Sequence, residues 1–303
     1  MKTQETRSTV FLFLTSLIWG FSFVAQVVGA EYVRPFTFNG ITFLIGTAVL
    51  ALVMRVSAAK KDVGAACSRP PSYRKKLLVY GLICGGVLFA ASNLQQFGVE
   101  ITASAGKSGF ITGLYIILVP IFGVFMKRRA GLFVWIGAVF AVVGMYFLCV
   151  KADEGLGGLT AGDLVLFIGA FFWAAHIIVI DRYGPRVDPL HLALAQYLLN
   201  GVLCLVCAAA LREPFEPAAL AAAALPMLYR GVGSIGIAYT LQILGQRHVA
   251  PGKAAVIFSL ESVFSALGGA LLIHELMTGR SYLGCALIFA GILLVQVPAR
   301  KPV

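Results

Sequence analysis

Residues 252–297 read GKAAVIFSLESVFSALGGALLIHELMTGRSYLGCALIFAGILLVQV. This stretch holds two apolar runs, 252–273 and 280–298, parted by the short polar break His274 to Gly279. Each run is close to the ~20 residues a helix needs to cross the hydrocarbon core of a bilayer. Two such runs joined by so short a break predict a membrane hairpin.

The same alternation of apolar run and short break extends through the chain. It gives ten spans: 9–29, 35–55, 76–99, 104–126, 131–150, 160–181, 189–211, 226–246, 252–273 and 280–298. The composition agrees. Of 303 residues, 59% are apolar and 12% charged, about half the usual quarter for soluble domains, and the mean hydropathy is +0.90. A soluble fold cannot cover that much apolar surface, and intrinsic disorder requires low hydrophobicity. Ten spans leave about ten residues per connection, too few for a soluble domain. The expected class is an all-α polytopic membrane protein.

The net charge of +11 is read as topogenic, not as a nucleic-acid footprint, because the cations sit in short loops between apolar runs. With the N-terminus cytoplasmic, 18 of the 24 Lys and Arg fall on the cytoplasmic side, including the seven from Arg55 to Lys76. Six fall outside: Arg34, Lys107, Lys151, Arg212, Arg230 and Arg280. That bias places both termini in the cytoplasm. Val28-Gly29-Ala30 resembles a signal-peptide cleavage site. The first run exceeds the usual length of such a leader, so it is read as a retained anchor. The implied localisation is the inner (plasma) membrane of a bacterium, multi-pass.

The two halves repeat. Trp19 and Trp173 are 154 residues apart, as are Pro35 and Pro189. Further on the offset is 147, relating Gln95 to Gln242, Gly98 to Gly245, Gly137 to Gly284 and Gly144 to Gly291. Gly106-Lys107 matches Gly252-Lys253 at 146, while Leu118-Val119-Pro120 matches Leu260-Glu261-Ser262 at 142. Five spans is an odd number, so the second unit enters the bilayer from the opposite side. The expected architecture is two inverted five-helix repeats, 1–151 and 152–303, as in secondary transporters with a midplane site between repeats.

At these residues the chain resembles the EamA-type drug/metabolite transporter superfamily. Leu260-Glu261-Ser262 stands where that family has Leu-Glu-Pro in the ninth span, with Ser in place of Pro. Glu275 stands at the acidic end of that span, Gly284 and Gly291 at the small positions of the tenth, and Trp19-Gly20 and Leu118-Val119-Pro120 fit in the first half. Residues 104–120, SAGKSGFITGLYIILVP, look most like bacterial amino-acid and metabolite exporters of the YddG kind. The family's basic residue in the second span has no counterpart; Thr42 lies near that place. The resemblance covers 9–297 and implies a ten-helix exporter without a cofactor.

Polar side chains inside a membrane protein turn away from lipid, so their helical spacing reveals a wet path. Span 1 carries Thr15, Trp19, Ser22 and Gln26 on one face; span 3 carries Ser92 and Gln95. Span 4 offers Ser108, Thr112 and Tyr115, span 6 Trp173 and His176, and span 8 Tyr239, Gln242 and Gln246. From these, Trp19, Ser22, Gln26, Gln95, Tyr115, Trp173, His176, Tyr239 and Gln242 are expected to line a central cavity enclosed by spans 1, 3, 4, 6, 8 and 9. Core packing is the competing role of the aromatic residues, and helix–helix bonding that of the glutamines. Aromatic faces beside amides suit a small amphipathic solute.

Glu261 lies near the middle of span 9, where an ionised acid costs ~2.5–3.5 kcal/mol. It is read either as a proton-coupling or substrate-amine group, or as a helix-packing hydrogen bond. His176 is the second candidate for proton coupling. Lys107 either snorkels to the outer surface or meets a substrate carboxylate. Spans 5 and 10 carry almost no hydrogen-bonding side chains and are read as peripheral, facing lipid or a partner. Their glycines serve close packing or dimerisation, so the chain is expected as a monomer or weak homodimer.

Other chemistries find no support. Gly106-Lys107-Ser108 mimics the end of a nucleotide-binding loop, but Ile101 stands where its first glycine belongs. No metal-ligand spacing occurs, no catalytic residue is assigned, and Cys204 and Cys207 sit in an apolar run as packing residues. The expected function is export of amino acids or similar small amphipathic metabolites across the lipid bilayer by alternating access. The alternatives are export of drugs or other metabolites, a channel, or a membrane-embedded enzyme.

Overall fold

The computed structural model describes residues 2–59, 71–126, 131–149 and 160–296. The basic stretches Lys60 to Arg69 and Lys127 to Arg129, together with Cys67, Lys151, Arg300 and Lys301, lie outside them. Among the described residues there is no strand.

The first half comprises α1 (Lys2–Ala30), α2 (Pro35–Ala59), α3 (Pro71–Thr102), α4 (Ala105–Gly113), α5 (Tyr115–Phe125) and α6 (Leu132–Cys149). The second comprises α7 (Ala161–Tyr183), α8 (Pro189–Ala210), the short α9 (Pro217–Ala222) and α10 (Ala224–Leu228), and a π-helical segment (Tyr229–Tyr239). It continues through α11 (Thr240–Gly245), α12 (Pro251–Phe258) and α13 (Leu260–Leu272) to α14 (Gly279–Gln296). Seven stretches are long and apolar enough to cross a membrane, among the described residues: α1, α2, α3, α4–α5, α7, α8 and α12–α13. α6 and α14 are apolar but shorter, and 226–246 is divided among α10, the π segment and α11.

Local chemistry explains where the helices begin. Thr160 and Asp163 form a reciprocal capping box on α7. Asp188 accepts from Leu190 and His191 ahead of Pro189 at the first position of α8. Two N-termini are capped from a distance. Glu213 accepts from the amides of Phe36 and Thr37 at the start of α2 (3.2 and 2.7 Å). Glu275 accepts from Ala105 and Gly106 at the start of α4 (3.0 and 3.3 Å). A carboxylate satisfies orphan helix donors and suits the positive end of the helix dipole. The acidic residue after the ninth span therefore ties the second half to the first.

Polarity runs inside out. Thr15, Ser16, Asn39, Thr42, Ser92, Gln96, His176, Gln196 and Asn200 are wholly buried, whereas Phe125, Leu132, Leu271 and Leu276 are exposed. Apolar side chains facing outward around a polar interior are what a hydrocarbon solvent demands. The exposed apolar surface and the spanning helices make this a multi-pass membrane protein.

Helix pairings recur when the halves are exchanged. α2 packs on α8, and α6 on α14. α3 packs on α7 as α11 and the π segment pack on α1; α4 and α5 pack on α7 as α13 and α12 pack on α1. The glycines show this at atomic scale. A Cβ on Gly98 would stand 3.1 Å from the Gly162 carbonyl and strike Leu166; one on Gly245 would stand 3.1 Å from the Ser8 carbonyl and strike Leu12. Leu12 and Leu166 are 154 residues apart, the Trp19–Trp173 interval. A Cβ on Gly144 would lie 2.6 Å from the Gly284 carbonyl, and one on Gly291 2.7 Å from that of Gly137. The glycines of spans 5 and 10 thus bring α6 and α14 backbone to backbone, each the other's partner.

Candidate functional site

Irregular backbone clusters at one place. α4 gives way to α5 at Leu114, α12 to α13 at Ser259, and the π segment spans Tyr229–Tyr239. Away from lipid, backbone departs from the α-helix only where protein or a cavity accommodates it, and π turns concentrate at functional sites. All three segments reach a cavity between the halves, through Thr112, Tyr115, Arg230, Ser234, Tyr239 and Glu261.

The cavity is displaced toward one end of the bundle. At that end the C-terminus of α3 adjoins the N-termini of α4 and α7, with ion pairs Arg34–Glu100 and Lys107–Asp163, the latter at 2.8 Å. Gln26, four residues before the end of α1, and Thr112, seven after the start of α4, line it there. Toward the other end the cavity stops on aromatic rings. Trp19 meets Tyr239 at 4.9 Å, Phe258 at 5.3 Å and Trp173 at 6.2 Å between ring centroids. Trp173 stacks on Tyr239 at 6.0 Å, and Phe43 and Tyr197 pack behind Tyr239.

Eight of the nine residues that the sequence nominated meet on this one surface: Trp19, Ser22, Gln26, Gln95, Tyr115, Trp173, Tyr239 and Gln242. The ninth, His176, is not in the lining. It is wholly buried, its Nε2 lies 3.0 Å from Gln196 Oε1, and its ring meets Trp173 and Tyr239 edge-on. It points from α7 to α8, behind the wall. Glu261 does line the cavity, beside Tyr115. Lys107 does not; it is held by Asp163 at the rim. Cys204 and Cys207 are free thiols, and Cys204 Sγ joins Asn93 and Asn200 in a hydrogen-bonded layer.

Arg230 is a lining residue that the sequence does not nominate. Placed among the outer loop charges, it is in fact 2% exposed and turned inward. A long cationic side chain four residues inside a span can snorkel out or fold in, and span boundaries carry no signal for which. Its guanidinium donates to Asn39 Oδ1 (3.0 Å) and Gln96 Oε1 (3.3 Å) and lies over the Phe38 ring. Thr112, Ser234, Phe23 and Ile177 are the other lining residues beyond those nominated.

Much of this surface is polar and unsatisfied. Of the fourteen described residues in the lining, eight carry a buried polar atom without a hydrogen-bond partner in the protein, among them Trp19 Nε1, Trp173 Nε1, Gln242 and Glu261 Oε1. Polar groups that find no partner within the protein and gather around one space mark it as open to water or a ligand. Among the described residues no group of His, Cys, Asp and Glu could hold a metal.

The model of the EamA-like transporter family matches residues 6–150 and again 160–297. The chain belongs to the EamA-like transporter family. The transporter is 28% identical over 292 residues to an uncharacterized transporter of Archaeoglobus fulgidus, covering 94% of this chain and 84% of that one. It is 23% identical over 281 residues to the uncharacterized transporter YoaV of Bacillus subtilis, covering 92% and 93%. It is 26% identical over 238 residues to the threonine/homoserine exporter RhtA of Salmonella typhimurium, covering 76% of this chain and 74% of the relative. A crystal structure at 22% identity superposes on it with a TM-score of 0.76, covering 96% of both chains. That likeness shows that the transporter has an experimentally observed fold.

Proposed function

We propose that the transporter is a carrier that exports amino acids or similar small amphipathic metabolites across a bacterial inner membrane by alternating access. The reading takes ten spans as two inverted repeats, 1–151 and 152–303, with both termini cytoplasmic. The observation that carries it is the concentration of unpartnered polar atoms around a cavity built by both halves. Indole N–H, amide and carboxyl groups aimed at one space, above a floor of rings, are complementary to a small solute with polar ends and an apolar body. The exporter RhtA among the relatives supports amino acids as the class.

Two further features support alternation. The Gly-Lys pairs of the two halves each meet an acid of the other half: Lys107 with Asp163 at 2.8 Å, Lys253 with Glu5 at 3.3 Å. These pairs sit at opposite ends of the bundle, where a two-fold carrier needs its two closures. With the N-terminus inside, the cavity lies nearer the outer end with both ion pairs formed, and the Trp19–Trp173–Tyr239 layer closes it on the inner side. Glu261, in the lining and with an oxygen unpartnered, is the group suited to couple a proton or to meet a substrate amine.

The test is uptake and counterflow of a radiolabelled amino-acid panel in liposomes holding the purified protein, with and without a proton gradient. Saturable counterflow is expected. Its absence across the panel overturns the amino-acid assignment, and flux without saturation overturns the carrier.

A further inference from the structure

We propose that Arg230 is the anion-binding residue of the central cavity and receives the carboxylate of the substrate, so that the transporter's ligands are carboxylates, zwitterionic amino acids included. The inference rests on the cavity being the substrate site.

Arg230 is a buried cation without an anion. Among the described residues no carboxylate lies within salt-bridge distance of it; its hydrogen-bond partners, Asn39 and Gln96, are neutral amides. The acids on or capping the helices that carry those partners are otherwise engaged. Glu100 pairs with Arg34, and Glu213 accepts from Phe36 and from the backbone and hydroxyl of Thr37. Glu261 lines the cavity but forms no ion pair with Arg230.

The neutral partners are themselves fixed. Asn39 donates through Nδ2 to Asn93 Oδ1 (2.9 Å) and to the Ser92 carbonyl (3.1 Å), and Gln96 donates through Nε2 to the Gln26 carbonyl (3.2 Å). Their amide oxygens are thereby left facing the guanidinium. The surrounding network is built to hold a charged arginine in one orientation, not to neutralise it. Guanidinium has five N–H donors in a planar fork. Two contacts are made to protein, and Nε is buried with no partner. A carboxylate accepts two parallel bonds from such a fork and supplies the missing charge, the strongest pairing open to this group.

The lining limits the anion's size and charge. Among the described residues Arg230 is its only cation and Glu261 its only acid. A phosphate or nucleotide ester would need several cations. One cation and one acid across an otherwise neutral, aromatic surface fit a monocarboxylate, with or without an amine.

The experiment is ligand-induced thermal stabilisation of the purified full chain, run beside the counterflow assay. The probes are L-amino acids, their methyl esters, and the matching 2-hydroxy acids. In the wild-type protein the acids should bind roughly 10- to 100-fold more tightly than the esters, as expected for a hydrogen-bonded charge partner. Arg230→Gln should bind acid and ester alike, and Arg230→Lys should recover part of the preference. Equal binding of acid and ester by the wild type overturns the proposal without any variant, and so does Arg230→Gln that keeps the preference. Absence of stabilisation by every carboxylate also overturns it. Hydroxy acids that stabilise through Arg230 while no amino acid shows counterflow would leave the arginine assignment standing and remove the amino-acid reading. Amino-acid counterflow without acid–ester discrimination would do the reverse.

Discussion

The two halves of the transporter are built alike and charged differently. Their scaffolds correspond down to single contacts: Gly98 against the second half's Gly162 and Leu166, and Gly245 against the first half's Ser8 and Leu12. Both contribute a tryptophan to the cavity floor and a glutamine to its wall. Yet both ionisable charges in the lining, Arg230 and Glu261, come from the second half. The residue 147 before Arg230 is Ile83, and neither match of Glu261, Tyr115 at 146 or Val119 at 142, is an acid. Repetition supplies two surfaces that can rock on one another. The charged groups of the lining sit where the repeat is broken, because a two-fold pair of arginines or acids in so small a space would repel itself.

Paired substitutions test this. The largest effect is expected for Trp19→Ala and Trp173→Ala, each losing about 3–5 kcal/mol of stability by emptying the ring cluster. Denaturant unfolding in detergent should give similar losses, and a silent member would assign the floor to one half. Gly98→Leu and Gly245→Leu should each cost about 1–3 kcal/mol by overpacking, or more where a backbone must move. Fluorescence-detected size exclusion should show both shifting together; tolerance of one alone would break the scaffold equivalence.

The glutamines should separate the halves. Gln95 donates to Gln26 Oε1 at 2.8 Å, while Gln242 has no partner at either polar atom. Gln95→Ala should lose about 1 kcal/mol of stability. Gln242→Ala should lose none, and its deficit should appear in the counterflow half-saturation. The reverse pattern would contradict a free amide offered to substrate. The smallest effect is expected for Lys253→Ala, under about 0.5 kcal/mol, because its partner Glu5 is half exposed. Lys107→Ala should exceed it in the same melting assay, since Asp163 is 3% exposed and would lose its cation.

Periodicity carried much of the site. Thr15, Trp19, Ser22 and Gln26 share a helix face whatever surrounds them, and that face is found turned inward. What periodicity could not carry is shown by His176. It follows Trp173 by one turn, yet α8 supplies Gln196 and draws the ring behind the wall. One spacing serves equally for a cavity and for a helix–helix bond.

Charge shows the same division. A membrane helix must keep polar groups off lipid and satisfy its own backbone. Spans, breaks, repeat and inward faces therefore all leave a trace in a single chain's residues. The direction of a long side chain leaves none, because its four or five bonds can carry the charge to either end of a turn. Only packing turned Arg230 inward, through Asn39 and Gln96 on two other helices, and only packing set Glu275 on the first turn of α4. Those partners are distant in sequence, and which neighbour a charge meets is decided by the meeting of helices.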